Sequence, residues 1–187
     1  MHDTVATVAS PFTMQMQTQT WPGADWWEAT LSMPPMPRLT AAAWVAFLAQ
    51  CRGQQCVFLL GDSAGVAPLG RIEGQPVIDG TVGTNNQPAS TVLYTRGWTP
   101  FSHRVLLPGD YVQIGQRLYM CLDIVASDGS GNAVFNVWPS IREQPADGAA
   151  MIFRNTAGLF RLADNARSWT ADVMQLFGVS IHCTEVR

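Results

Sequence analysis

Near the start of the chain, Phe12, Met14 and Met16 alternate with Thr13, Gln15 and Gln17. This period-two pattern places apolar side chains on one face of a strand, and it predicts strand over 12–20. Trp21-Pro22-Gly23-Ala24-Asp25 follows as a turn, since Pro fixes φ and Gly permits a positive one. A second strand over 26–33 carries Trp27, Ala29, Leu31 and Met33 on one side, so the two strands read as an antiparallel hairpin. Pro34, Pro35 and Pro37 end it, because proline cannot donate to a ladder. One helix is predicted over 40–52, where Trp44, Phe47, Leu48 and Cys51 recur at helical spacing. Thr40 is placed to cap it and Gly53 to stop it. The run 56–60 is apolar on both faces, which predicts a central strand.

From 61 to 90 the chain is rich in Gly, Pro, Asn and Ser, and reads as a long loop with one short strand at 75–79. Further strands are predicted at 91–98, 110–114, 117–126, 133–139, 151–154 and 159–162. Turn chemistry separates them: Pro108-Gly109, Gly115-Gln116 and Asp128-Gly129-Ser130-Gly131-Asn132. Short strands at this spacing build a small barrel or sandwich. A last strand over 177–187 alternates Phe177, Val179, Ile181 and Cys183, and is placed to close against the first hairpin.

Composition adds a second point. Apolar residues make up 47% of the 187 and charged residues 13%, about half the usual charged share of a globular protein. No apolar run reaches the roughly 18 residues that a spanning helix needs. The first residues lack the basic and apolar regions of a secretory signal, so a soluble chain made in a cytoplasm is expected. Few charges and seven Trp suggest that part of the apolar surface is covered by partners. The net charge of −3, and eleven basic residues that are all Arg and scattered, give no footprint for specific nucleic-acid binding.

Candidate chemistry is sparse. Gly61-Asp62-Ser63-Ala64-Gly65 matches the GxSxG pattern of a serine hydrolase, directly after a predicted buried strand. A nucleophile elbow also needs a helix next, and Val66-Ala67-Pro68-Leu69-Gly70 argues against one, so the pentapeptide reads as a polar turn. Cys51, Cys56, Cys121 and Cys183 form no CxxC and no zinc-knuckle spacing, and read as buried free thiols. Asp123, Asp128, Glu143 and Asp147 lack calcium-loop spacing and read as turn residues. No catalytic residue, metal ligand or cofactor is assigned. Trp21, Trp26, Trp98 and Phe101 fall at turns or strand ends, as anchors of a subunit interface or as a sugar-binding platform.

Several stretches, in order, resemble tail proteins of tailed bacteriophages. They are Trp27-Glu28-Ala29-Thr30, the Pro-rich 33–37, Ala46-Phe47-Leu48, Arg52-Gly53 and Phe58-Leu59-Leu60-Gly61-Asp62. Later come Leu107-Pro108-Gly109-Asp110-Tyr111, Asp128-Gly129-Ser130-Gly131-Asn132-Ala133, Trp138-Pro139, Pro145-Ala146-Asp147-Gly148 and Phe160-Arg161-Leu162-Ala163. Their order is similar to that of distal tail or minor tail proteins of long-tailed phages and prophages, over most of 21–187. The resemblance implies a mainly β protein with one flanking α-helix: a β-sandwich ring domain with an inserted small β-barrel. By analogy, 1–65 and 165–187 with helix 40–52 form the ring domain, and 70–163 the barrel. It further implies a non-enzymatic virion component, a hexameric ring at the tail tip joining the tail tube protein to the hub and tip proteins. Alternatives are a carbohydrate-binding or host-recognition β module, and a tail tube or tail-completion protein.

Overall fold

The computed structural model describes residues 1–166, 168–172 and 176–187. The chain is mainly β, with one α-helix among the described residues and a six-stranded sheet that closes almost into a barrel. In chain order the strands are β1 (His2–Ala9), β2 (Met16–Trp26), β3 (Glu28–Ser32) and β4 (Met36–Pro37). After helix α1 (Arg38–Cys51) come β5 (Val57–Leu60), β6 (Gly74–Ile78), β7 (Val92–Trp98), β8 (Tyr111–Ile114) and β9 (Arg117–Cys121). The rest are β10 (Asn132–Trp138), β11 (Met151–Ile152), β12 (Gly158–Leu162), β13 (Trp169–Ala171) and β14 (Leu176–Glu185). The chain divides into two compact units, one of residues 26–60 and 159–187 with Met1, the other of 2–25 and 61–158.

The second unit holds the barrel. Its strands run in the order β11-β8-β9-β10-β7-β6, and a bridge between Val77 and Ala150 brings the two ends of that order together. The alternation of the sequence is realised directly: Ala133, Phe135 and Val137 of β10 are buried, while Val134 and Asn136 between them face out. Thr95 is a polar residue among the buried positions, and it is satisfied there. Its hydroxyl donates to the Ala133 carbonyl at 2.8 Å and accepts the Trp98 indole N–H at 2.8 Å.

The 61–90 stretch has the predicted short strand, shifted to β6, and is otherwise held by two buried polar side chains. Asp110 is 3% exposed. Its carboxylate accepts the N–H groups of Leu69 at 2.6 Å, Gly70 at 2.9 Å and Leu107 at 2.8 Å. Gly70 is required there, since a Cβ would come within 2.5 Å of the Val105 carbonyl oxygen. Asn86, also buried, donates from its amide to the Asp79 and Tyr94 carbonyls and accepts the Tyr94 N–H.

The same unit carries the N-terminal hairpin of β1 and β2, whose tip closes through Ser10 and Gln15. Two sequence expectations change here. The strand predicted over 12–20 begins at Met16, with 11–13 in the turn, and its partner is β1, a strand the pattern of apolar residues does not predict. The expected turn at 21–25 is instead continuous strand. The arm therefore belongs with the barrel-bearing unit, not with the 1–65 segment to which the sequence assigned it.

In the other unit, β14 is the centre of the sheet. Along one edge it pairs with β3 (Ile181 opposite Leu31) and β4, along the other with β12 (Cys183 opposite Leu162) and β13. The expected closure of the last strand against the 26–33 strand is observed. Helix α1 starts earlier than Thr40: Pro37 occupies its N-cap and no side chain caps it. Arg52 (φ 49°) and Gly53 (φ 73°) end it in the left-handed region. Leu48 and Cys51 are buried, and Phe47 meets Phe58 edge-on at 5.5 Å. Strand β5 is not central. It lies at the end of the strand order, with Val57 44% and Leu59 59% exposed. Of the predicted segment 165–187, residues 167 and 173–175 lie outside the described residues.

Candidate functional site

The most conspicuous surface is the arm. Its strands are almost wholly exposed until β2 reaches Gly23. Toward its tip Phe12 is 94% exposed, Met14 79% and Met16 67%, with Val5 and Val8 also open along β1. These side chains carry the clearest alternating pattern in the sequence, yet they remain mostly exposed among the described residues. An isolated two-stranded hairpin is marginal in water, so its order depends on how its base is held.

The base is fixed by charge and hydrogen bonds. Asp25 accepts the Ser140 N–H and hydroxyl, each at 2.6 Å, and the Arg142 guanidinium at 3.1 Å. Arg142 also donates to the carbonyls of Gly23 and Asp25. On the other strand, Asp3 accepts the Trp138 indole N–H at 2.8 Å. Burial alone would raise the Asp25 pKa; the two Ser140 bonds and the Arg142 charge together outweigh it and hold the carboxyl below its ordinary value.

The four aromatic residues singled out from the sequence have different fates. Trp21 is 44% exposed on the arm. Trp26 is half-buried, its indole N–H donating to Glu28 at 3.0 Å and the Arg187 guanidinium lying over its ring at 5.2 Å. Phe101 is exposed, at φ 56°, with its ring against Gly129. Trp98 is a correction: at 3% exposure it is a core residue packed on Phe153, with no surface to offer a partner. Its place near a Pro-bounded loop suggested otherwise because the burial comes from strands distant in sequence.

The GxSxG stretch forms a local turn. Asp62 accepts the Ala64 N–H at 2.8 Å and the Tyr111 hydroxyl at 3.0 Å, and no helix follows Gly65. The acidic residues are dispersed in separate structures. Asp123 accepts from Asn136, Asp128 closes its own glycine-rich turn, Asp147 pairs with Arg96 at 2.8 Å, and Glu143 lies 3.6 Å from Arg117. Among the described residues no three His, Cys, Asp or Glu side chains are grouped to hold a metal.

All four cysteines are free thiols. Burial pushes Cys121 and Cys183 each up to about 11, so both stay protonated and unreactive near neutrality. Cys51 is 1% exposed, and Cys56 alone is partly open. A maleimide reagent at pH 7 is therefore expected to modify Cys56 first in the native protein, and all four only after denaturation. Peptide mass mapping reads this directly; early modification of Cys121 or Cys183 would contradict their burial.

No family model matches the chain, and no curated protein matches it.

Proposed function

We propose that this chain is a structural assembly component of the phage tail-tip type, which associates through its apolar arm and its open strand edges into a closed ring. The observation that carries this reading is the arm itself. Phe12, Met14 and Met16 gather exposed apolar surface at the end of a projecting ribbon, and such surface on a soluble chain marks an interaction site. Strand edges support it: among the described residues β1 and β2 each have one edge unpaired, and β5 ends its sheet with Val57 and Leu59 exposed. Neither β5 nor the arm tip carries a charged residue to discourage pairing.

In this reading the arm of one copy adds to a neighbour, and the neighbour's arm reaches the next. A head-to-tail contact of this kind ends growth only when the rotation closes. Main-chain pairing along the open edges would supply affinity, and the apolar side chains at the tip would bury against the neighbour. The tail tube and the hub and tip proteins are the proposed neighbours on the two faces of the ring, in the virion. The ordered resemblance of the turn and helix-end motifs is what favours a tail tip over another ring.

The test is the mass of the purified chain in solution by light scattering, with negative-stain images of the same sample. A ring of about six copies with an open centre is expected. A mass of one chain at every concentration, with or without a tail tube protein, would reject the assembly role.

A further inference from the structure

We propose that a recess between the base of the arm and the barrel wall binds a single neutral sugar ring, with Trp21 as its stacking platform. This goes beyond the assembly role and does not depend on it. The recess has a volume of about 160 Å³ and is lined by Asp3, Thr4, Trp21, Asp25, Thr91 and Ser140 among others. Drug-sized ligands fill roughly 300–1,000 Å³, so this one holds a single ring and no extended chain.

Its chemistry is that of a saccharide subsite. Trp21 presents an indole that is 44% exposed, and its N–H makes no hydrogen bond among the described residues. Around it stand three hydroxyl-bearing threonines, Thr4, Thr20 and Thr91, and the Asp3 carboxylate. An apolar indole face beside short polar groups matches a sugar, which has an apolar C–H face and a rim of hydroxyls. The base of the recess is pre-organised, because Asp25 is fixed by Ser140 and Arg142, and Asp3 is oriented by the Trp138 indole. Little ordering is then left to the moment of binding.

Charge selects the class. Arg142 balances Asp25, whereas Asp3 is paired only with a neutral indole and leaves the recess negative. A uronate, a sialic acid or a phosphorylated sugar would meet like charge. A nucleobase could stack on Trp21, but the phosphate that accompanies it in a nucleotide would be repelled by Asp3.

The experiment labels the full-length chain with 5-fluorotryptophan and follows the Trp21 fluorine resonance, identified by its loss in Trp21→Phe. Glucose, galactose, mannose, N-acetylglucosamine and glucuronate are titrated separately. The expected result is a saturable shift with at least one neutral sugar, at a dissociation constant on the order of millimolar, and none with glucuronate. Asp3→Asn keeps the shape but removes the charge. It should weaken the neutral sugar about tenfold, the scale of one charge-assisted hydrogen bond, and narrow the gap to glucuronate. The titrations are repeated on Phe12→Ser/Met14→Ser, whose polar arm tip prevents a neighbouring copy from covering the recess. A Trp21 resonance unmoved by every neutral sugar in both proteins overturns the proposal, as does an equal response to glucose and glucuronate.

Discussion

Phe12→Ser/Met14→Ser is expected to weaken self-association by roughly two to four orders of magnitude while leaving the fold intact. Full burial of a Phe or Met side chain is worth about 1.5–3 kcal/mol, and each 1.4 kcal/mol is about tenfold in affinity. Both side chains are almost fully available for such burial, at 94% and 79% exposure. The same exposure means that neither supports the chain's own core. The unfolding temperature should therefore move little, and sedimentation velocity across a concentration series should show a shift toward single copies. An unchanged distribution of species would remove the tip from the interface and direct attention to Val57 and Leu59 on β5.

Asp25→Ala is expected to destabilise the arm-bearing unit by about 3–5 kcal/mol, the usual result of removing one partner from a buried ion pair. The Arg142 side chain is only 9% exposed and that of Asp25 14%. The substitution leaves a cation with little water and strips Ser140 of its acceptor for two hydrogen bonds. Urea unfolding measures the loss, and hydrogen exchange at the amides of β1 and β2 should show the arm opening first. A change under 1 kcal/mol (about the worth of a surface pair) would show that the arm is held elsewhere. The pH dependence has a defined sign. The folded carboxyl titrates below its ordinary value of 3.8, so its contribution is complete above that pH. It fades as the pH falls through the lower folded value, because the unfolded chain then binds the proton more readily. Mild acid leaves the arm anchored; stronger acid frees it.

Much of the fold was legible from alternation alone. Strands β7, β8, β10 and β12 lie within a residue of their expected ends, because each buries alternate side chains more deeply than those between them. Legibility failed where the partner surface was absent or remote. The Phe12, Met14 and Met16 pattern signals a face that meets apolar surface, but nothing in a sequence says whether that surface is in the same chain. Strand β1 carries only Val5 and Val8 as apolar markers of useful size, too little to announce a strand that buries no core. Pro22 and Gly23 carry the local chemistry of a turn, yet a two-stranded ribbon tolerates both. Run 56–60 is apolar on both faces, the pattern of a central strand, and it forms an edge with Val57 and Leu59 exposed. Of the candidate site, Trp21 was identified in the sequence. Its neighbours Asp3 and Thr91 were not, because they lie 18 and 70 residues away and only folding gathers them.

Strand β14 sets the order in which the molecule can be built. It is made after all four strands it pairs with, and its pairing with β3 joins Glu28 to Thr184 across almost the whole chain. Closing so long a loop is slow and must precede any gain from the contact. Every strand of the barrel, by contrast, lies between 74 and 152, so that unit can mature on the ribosome while the sheet of its neighbour is still missing its centre. Synthesis itself then acts as a timer. An incomplete chain can own a finished barrel and arm, but the edge strand β5 has no complete sheet to belong to until β14 arrives.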